Sequence, residues 1–184
     1  MKLTQRARRH LTIGAGAAAV AILAGTGALA ATAASAAPAA PAIPSCTSSG
    51  TTVWTGEPGN GTAGSVYFEL EISNVSHHAC TLFGYPGVSA ANGNGKQVGV
   101  PATHSGAKSL VTIPAGGTSH VVLRVIDPGA VCVHPVHADF LKVYAPGQFN
   151  FETTPFSLSV CPHKSTLHVD AVHANAGIPN FSNS

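Results

Sequence analysis

The residues able to do chemistry fall into three sets: four cysteines, nine histidines beyond residue 36, and the Glu69, Glu71 pair. Cys46, Cys80, Cys132 and Cys161 could close disulfides or hold a metal. Zinc sites usually take their ligands in closely spaced pairs, and these four are spread too widely for that. Disulfides are therefore the expectation. His77-His78 and His134-Pro135-Val136-His137 could offer imidazole to zinc or copper. Neither pattern has the helical i, i+4 spacing that brings ligands together, so they are weak metal candidates, read as solvated loop residues, and no cofactor is expected.

Glu69 and Glu71, two apart on a strand, would sit about 7 Å from each other, within the range of the paired carboxylates of inverting glycosidases. Every i, i+2 pair on a strand has that separation. Tyr67 and Ser73 accompany them on what should be a wet face, so a solvated pair is the simpler reading. No nucleophile elbow exists, since Gly87-Val88-Ser89-Ala90-Ala91 lacks its second glycine. His-Glu-x-x-His and phosphate-cradling glycine loops are missing too. A non-enzymatic role is expected. Trp54, Tyr67, Tyr85 and Tyr144 are the aromatic anchors available to a partner, which would be an extracellular protein or a glycan. Trp54 and Tyr85 are the leading binding candidates, although for Tyr85, on a turn, packing over a sheet edge is the favoured reading.

The compartment follows from the chain's beginning. Lys2, Arg6, Arg8 and Arg9 precede an uncharged run over residues 11–33, and Ala34-Ser35-Ala36 fits the small-x-small cleavage pattern. Residues 1–36 are thus expected to be a signal peptide, with Arg8-Arg9 leaving the general and twin-arginine export routes both open. A retained anchor is disfavoured because Ala and Gly dominate the run. Lipidation of Cys46 is disfavoured by Pro44 and by the three thiols it would leave. Removing the signal leaves five basic residues against seven acidic ones, a net charge of −2. Nucleic acid needs clustered positive charge and is excluded as a partner, and the same lack weakens electrostatic attachment to anionic lipid. Secretion, with possible association with the cell envelope, no membrane span after cleavage and a monomeric state complete the expectation.

The elements that must position these residues have a period of two. Val66, Phe68, Leu70 and Ile72 alternate with Tyr67, Glu69, Glu71 and Ser73, the pattern of a strand with one face buried. Residues 120–126 and 140–144 read the same way, and shorter strands are expected at 52–55, 81–83, 97–99, 109–113, 156–160 and 167–172. Asn92-Gly93-Asn94-Gly95, Pro114-Ala115-Gly116, Asp127-Pro128-Gly129 and Pro146-Gly147 are turn chemistry, and Pro86-Gly87 suits the centre of a type II turn. Residues 37–45 should be an Ala/Pro-rich disordered leader, 46–173 the domain, and 174–184 a frayed tail. Many short strands without helical periodicity point to an all-β, antiparallel, immunoglobulin-like β-sandwich with two disulfides.

Four cysteines allow three pairings. If the strand after Cys46 runs antiparallel to residues 66–73, Cys80 returns towards Cys46. If 140–144 pairs with 156–160, Cys132 and Cys161 flank the open end of that hairpin. Cys46–Cys80 and Cys132–Cys161 are accordingly expected, each worth about 3–4 kcal/mol in the chain-entropy account.

The run Cys80-Thr81-Leu82-Phe83-Gly84-Tyr85-Pro86-Gly87-Val88 resembles a secreted actinobacterial family built on the domain of unknown function 4232. The likeness continues through Ile72-Ser73-Asn74, Val98-Gly99-Val100-Pro101-Ala102, Ile113-Pro114-Ala115-Gly116, Val143-Tyr144-Ala145-Pro146 and Leu167-His168-Val169. Phe83 departs from it, standing where a variable, often polar residue is expected. The resemblance implies an exported or envelope-attached β-sandwich with no established activity and no catalytic residues to carry over. Together these readings give a non-enzymatic binding or structural module of the envelope or medium. An extracellular metal-binding protein using loop histidines is second, and a hydrolase third.

Overall fold

The computed structural model describes residues 41–178, the side chains of 57–60 excepted. The signal-peptide segment, residues 37–40 of the leader and residues 179–184 of the tail lie outside these described residues. Eleven strands run β1 (Thr51–Thr62), β2 (Ser65–Asn74), β3 (Cys80–Phe83), β4 (Gly87–Ala91), β5 (Gln97–Val98), β6 (Thr103–Ser105), β7 (Leu110–Ile113), β8 (Thr118–Ile126), β9 (Val136–Tyr144), β10 (Glu152–Val160) and β11 (Leu167–Asp170). They form a five-stranded sheet ordered β1-β2-β8-β11-β6, a four-stranded sheet β10-β9-β4-β5 and a two-stranded sheet β3-β7. All pairings between these strands are antiparallel except β11 with β6. The fold is all-β and mostly antiparallel.

Alternation decides which side chains meet inside. Leu70 and Ile72 of β2, Val121 and Leu123 of β8, and Leu167 and Val169 of β11 turn inward from the five-stranded sheet and are buried. Val88, Leu141, Val143 and Val160 of the four-stranded sheet, with Leu82, Val111 and Ile113 of the small one, join them in a single apolar cluster. Phe68 and Phe156, half-buried against that cluster, meet edge to face with centroids 4.7 Å apart. Each such aliphatic side chain contributes about 1.5–3 kcal/mol when fully buried.

The bridges join Cys46 to Cys80 and Cys132 to Cys161. The first sits where the chain enters the domain: Cys46 donates its N–H to the Thr81 carbonyl, and Thr81 returns one to Pro44. The leader's last residues are therefore tied down as a short parallel bridge beside β3. Behind this bridge Asn74, fully buried, knots three loops together. Its Nδ2 reaches the carbonyls of His78, Ile113 and Pro114, and its Oδ1 accepts from the N–H and hydroxyl of Ser76.

Three details depart from the sequence reading. Gly87 is not the centre of a type II turn, which would need a positive φ there; it opens β4 opposite Tyr144, and the positive φ belongs to Gly84. A Cβ on Gly87 would rest against the Tyr144 side chain at 3.4 Å, an ordinary packing contact. Strand β1 extends well past residue 55, and its register shifts on either side of Pro58, as an edge strand tolerates. Residues 174–177, expected to fray, are held by contacts: the Asn175 carbonyl accepts from His173 Nδ1, and the Gly177 N–H donates to Glu69 Oε1.

Candidate functional site

The outer face of the five-stranded sheet carries the concentrated chemistry. Strand alternation places Tyr67, Glu69, Glu71 and Ser73 of β2 there, with His120, Val122 and Arg124 of β8 and His168 and Asp170 of β11. Register then aligns one row across four segments. Trp54 of β1 is opposite Glu71, Glu71 is opposite His120, and His120 is bridged to His173. A second row runs from Tyr67 through Arg124 and His168 to Thr103 of β6.

Glu71 and His120 of the first row, with Glu69 two residues along the same face, bring one donor atom each within 4.8 Å of the others. His120 Nδ1 lies 2.7 Å from Glu69 Oε1, and both side chains are mostly shielded, at 12% and 17% exposure. Yet the ring nitrogen is not aimed along that line and has no hydrogen-bond partner. The contact is one of charge and proximity more than a linear N–H···O bond. His173 is joined to His120 by two backbone hydrogen bonds of 2.9 Å, its ring 6.2 Å away. Because His173 Nδ1 faces the Asn175 carbonyl at 2.7 Å, it must be the donor, and Nε2 carries the lone pair. That Nε2 is buried and unpartnered.

In the second row Arg124 lies over the Tyr67 ring, 5.9 Å from its centroid, and donates Nε–H to Ser65 Oγ at 3.0 Å. His168 Nδ1 contacts Thr103 Oγ1. Burial first, and then the Arg124 guanidinium, hold the His168 imidazole below its usual value.

The histidines singled out in the sequence do not assemble. His77, His78 and His134 are exposed, and His137 stands on β9, exposed, with Asp139 3.4 Å away. None belongs to a three-ligand group among the described residues. The histidines that do gather, His120 and His173, are held by the sheet. Their signal was the outward parity of His120 with Glu69 and Glu71 once β2 and β8 are paired. Among the binding candidates, Trp54 is 56% exposed beside Glu71. Tyr85 is already occupied: its ring stacks on His104 at 4.8 Å, Lys108 Nζ lies 5.0 Å from its centroid, and its hydroxyl donates to the Gly106 carbonyl. The chain uses it to fasten the turn to the loop after β6.

Two concavities among the described residues lie away from the first row. One of about 440 Å³ opens at the β1–β2 hairpin end, between Val66, Ile126, Pro128 and Ser159, and a smaller one of about 210 Å³ flanks the Cys46–Cys80 bridge. The carboxylate in the larger, Asp127, caps Gly129 N–H.

A strand-built, disulfide-closed domain with a polar outer sheet face is the class these features define. The family model for the domain of unknown function DUF4232 matches residues 46–173, and the chain belongs to that family. No curated protein matches it. Among solved structures it is similar to a Listeria innocua β-glucosidase in complex with isofagomine, at 14% identity and TM-score 0.35 over 60% of this chain and 16% of that one. It is also similar to DesR, a β-glucosidase from Streptomyces venezuelae in complex with D-glucose, at 12% identity and TM-score 0.30 over 59% of this chain and 15% of that one. The chain spans only about a sixth of the length of these structures.

Proposed function

We propose that this domain is an exported, non-enzymatic binding module of the cell envelope or medium, and that it binds through the outer face of its five-stranded sheet. The observation that carries this reading is the row from Trp54 to His173. A largely exposed indole stands opposite the Glu71 carboxylate, which is followed by two imidazoles, with Glu69 next along the same sheet face. Aromatic side chains ringed by polar groups dominate recognition energetics for protein and glycan partners alike. Export is supported by the leader and by two disulfides, which persist in oxidising compartments. Among the described residues no helix is long and apolar enough to cross a membrane.

Trp54 is the sole tryptophan of the chain, so its fluorescence reports on this face. Titration with purified envelope polysaccharide and with secreted proteins is expected to shift that emission, and Trp54→Ala is expected to weaken retention about tenfold or more. Retention that survives Trp54→Ala unchanged would move the binding surface elsewhere. No retention of either partner class would overturn the reading.

A further inference from the structure

The carboxylate and imidazole donors of the first row have a geometry that simple ion pairing does not require. We propose that Glu69, Glu71 and His120, whose donor atoms cluster within 4.8 Å, bind a divalent transition metal, zinc foremost, and that His173, outside that cluster with its ring centroid 6.2 Å from that of His120, closes on the ion as a fourth ligand. Four observations converge. Glu71 and His120 are directly opposed across β2 and β8, and Glu69 is two residues along the same face, so three donors leave a rigid sheet in one direction. Those donors lie within 4.8 Å of each other, close enough for side-chain rotation to bring them around one ion. His120 Nδ1 is buried and does not point along its contact with Glu69. A nitrogen buried 2.7 Å from a carboxylate oxygen without a hydrogen bond to it is one that a shared ion could engage.

The fourth observation is independent of the acidic pair. His173 gives its Nδ1–H to a backbone carbonyl and keeps a bare, buried Nε2. Metal-bound histidines carry this second-shell arrangement, which fixes the tautomer and raises the basicity of the coordinating nitrogen. Glu69 Oε1 is steadied in the same way by the Gly177 N–H. Two imidazoles exclude calcium and magnesium, which take oxygen ligands, and favour zinc or a neighbouring divalent ion. The inference concerns the face used in the proposed binding role, but its test reads metal uptake directly, so either can fail while the other stands.

The test is calorimetric titration of the intact exported protein, first stripped with chelator, with zinc chloride and with cobalt chloride. One equivalent of zinc should bind with sub-micromolar affinity. Cobalt should give visible absorption of a mixed nitrogen–oxygen site and quench Trp54, the residue opposite Glu71. His120→Gln and Glu69→Gln should each weaken zinc binding about 100-fold, and Glu71→Gln and His173→Gln at least about tenfold. The doubly substituted His134→Gln, His137→Gln protein should bind as before. Should His120→Gln fail to fold, the Glu71→Gln and His173→Gln results decide. Absence of stoichiometric uptake, uptake unaffected by the sheet variants, or uptake lost only with His134 and His137 would each overturn the proposal.

Discussion

His168 shows how one sheet residue can make stability answer to acidity. Its imidazole is held below 6.5, chiefly by burial and then by Arg124. The unfolded chain therefore takes up the proton more readily than the folded one. The resulting contribution is present above about pH 6.5 and is lost as pH falls through the lowered folded value. Thermal unfolding followed from pH 7.5 to 5 should show a falling midpoint, and His168→Asn, which removes the titrating group, should decline less steeply. Parallel curves for the two proteins would refute this account. His168 was legible in the sequence only as a histidine on a short strand. Its neighbour Arg124 is distant in the chain and is brought alongside by the β8–β11 pairing.

At the scale of elements, Gly99 marks where β5 ends and the chain turns past the second disulfide. Its φ is +70°, and an added Cβ would lie 2.8 Å from Val160 Cγ2 and 2.9 Å from the Cys161 carbonyl. Gly95 has a similar φ of +72° but open space around it. Gly99→Ala should therefore cost about 3 kcal/mol, combining left-handed strain with overpacking, against about 1 kcal/mol for Gly95→Ala. Urea denaturation of the two variants measures the difference, and equal losses would show that the crowding is relieved. Strands with one wet face were plain in the sequence, β2 above all. Strand β4 was not, because Val88, Ser89, Ala90 and Ala91 are all buried and give no alternation. Strand β6 was also missed: Thr103–Ser105 is exposed and held by a parallel pairing with a strand far along the chain. The candidate site was half visible, as a pair of carboxylates whose imidazole partners depend on register.

For the molecule as a whole, the disulfides fasten different parts of the domain. Cys46–Cys80 pins the entering chain against β3, and Cys132–Cys161 closes the open end of the β9–β10 hairpin, where Val136 pairs with Val160. Replacing either pair with serine should lower unfolding free energy by about 3–4 kcal/mol, because loops spanning 34 and 29 positions are freed in the unfolded chain. Denaturant midpoints of the two double variants check this, and a loss below about 1 kcal/mol would point to residual structure in the unfolded chain. The apolar core is extensive enough for the fold to rest on more than these links.

The rims of the two larger sheets are interrupted or brief. Pro58 and Pro155 withhold a backbone donor from β1 and β10, while β5 and β6 stop after two and three residues. A neighbouring copy thus finds no long ladder on which to continue a sheet. The domain is in this way built to resist zipping into fibrils with its own kind.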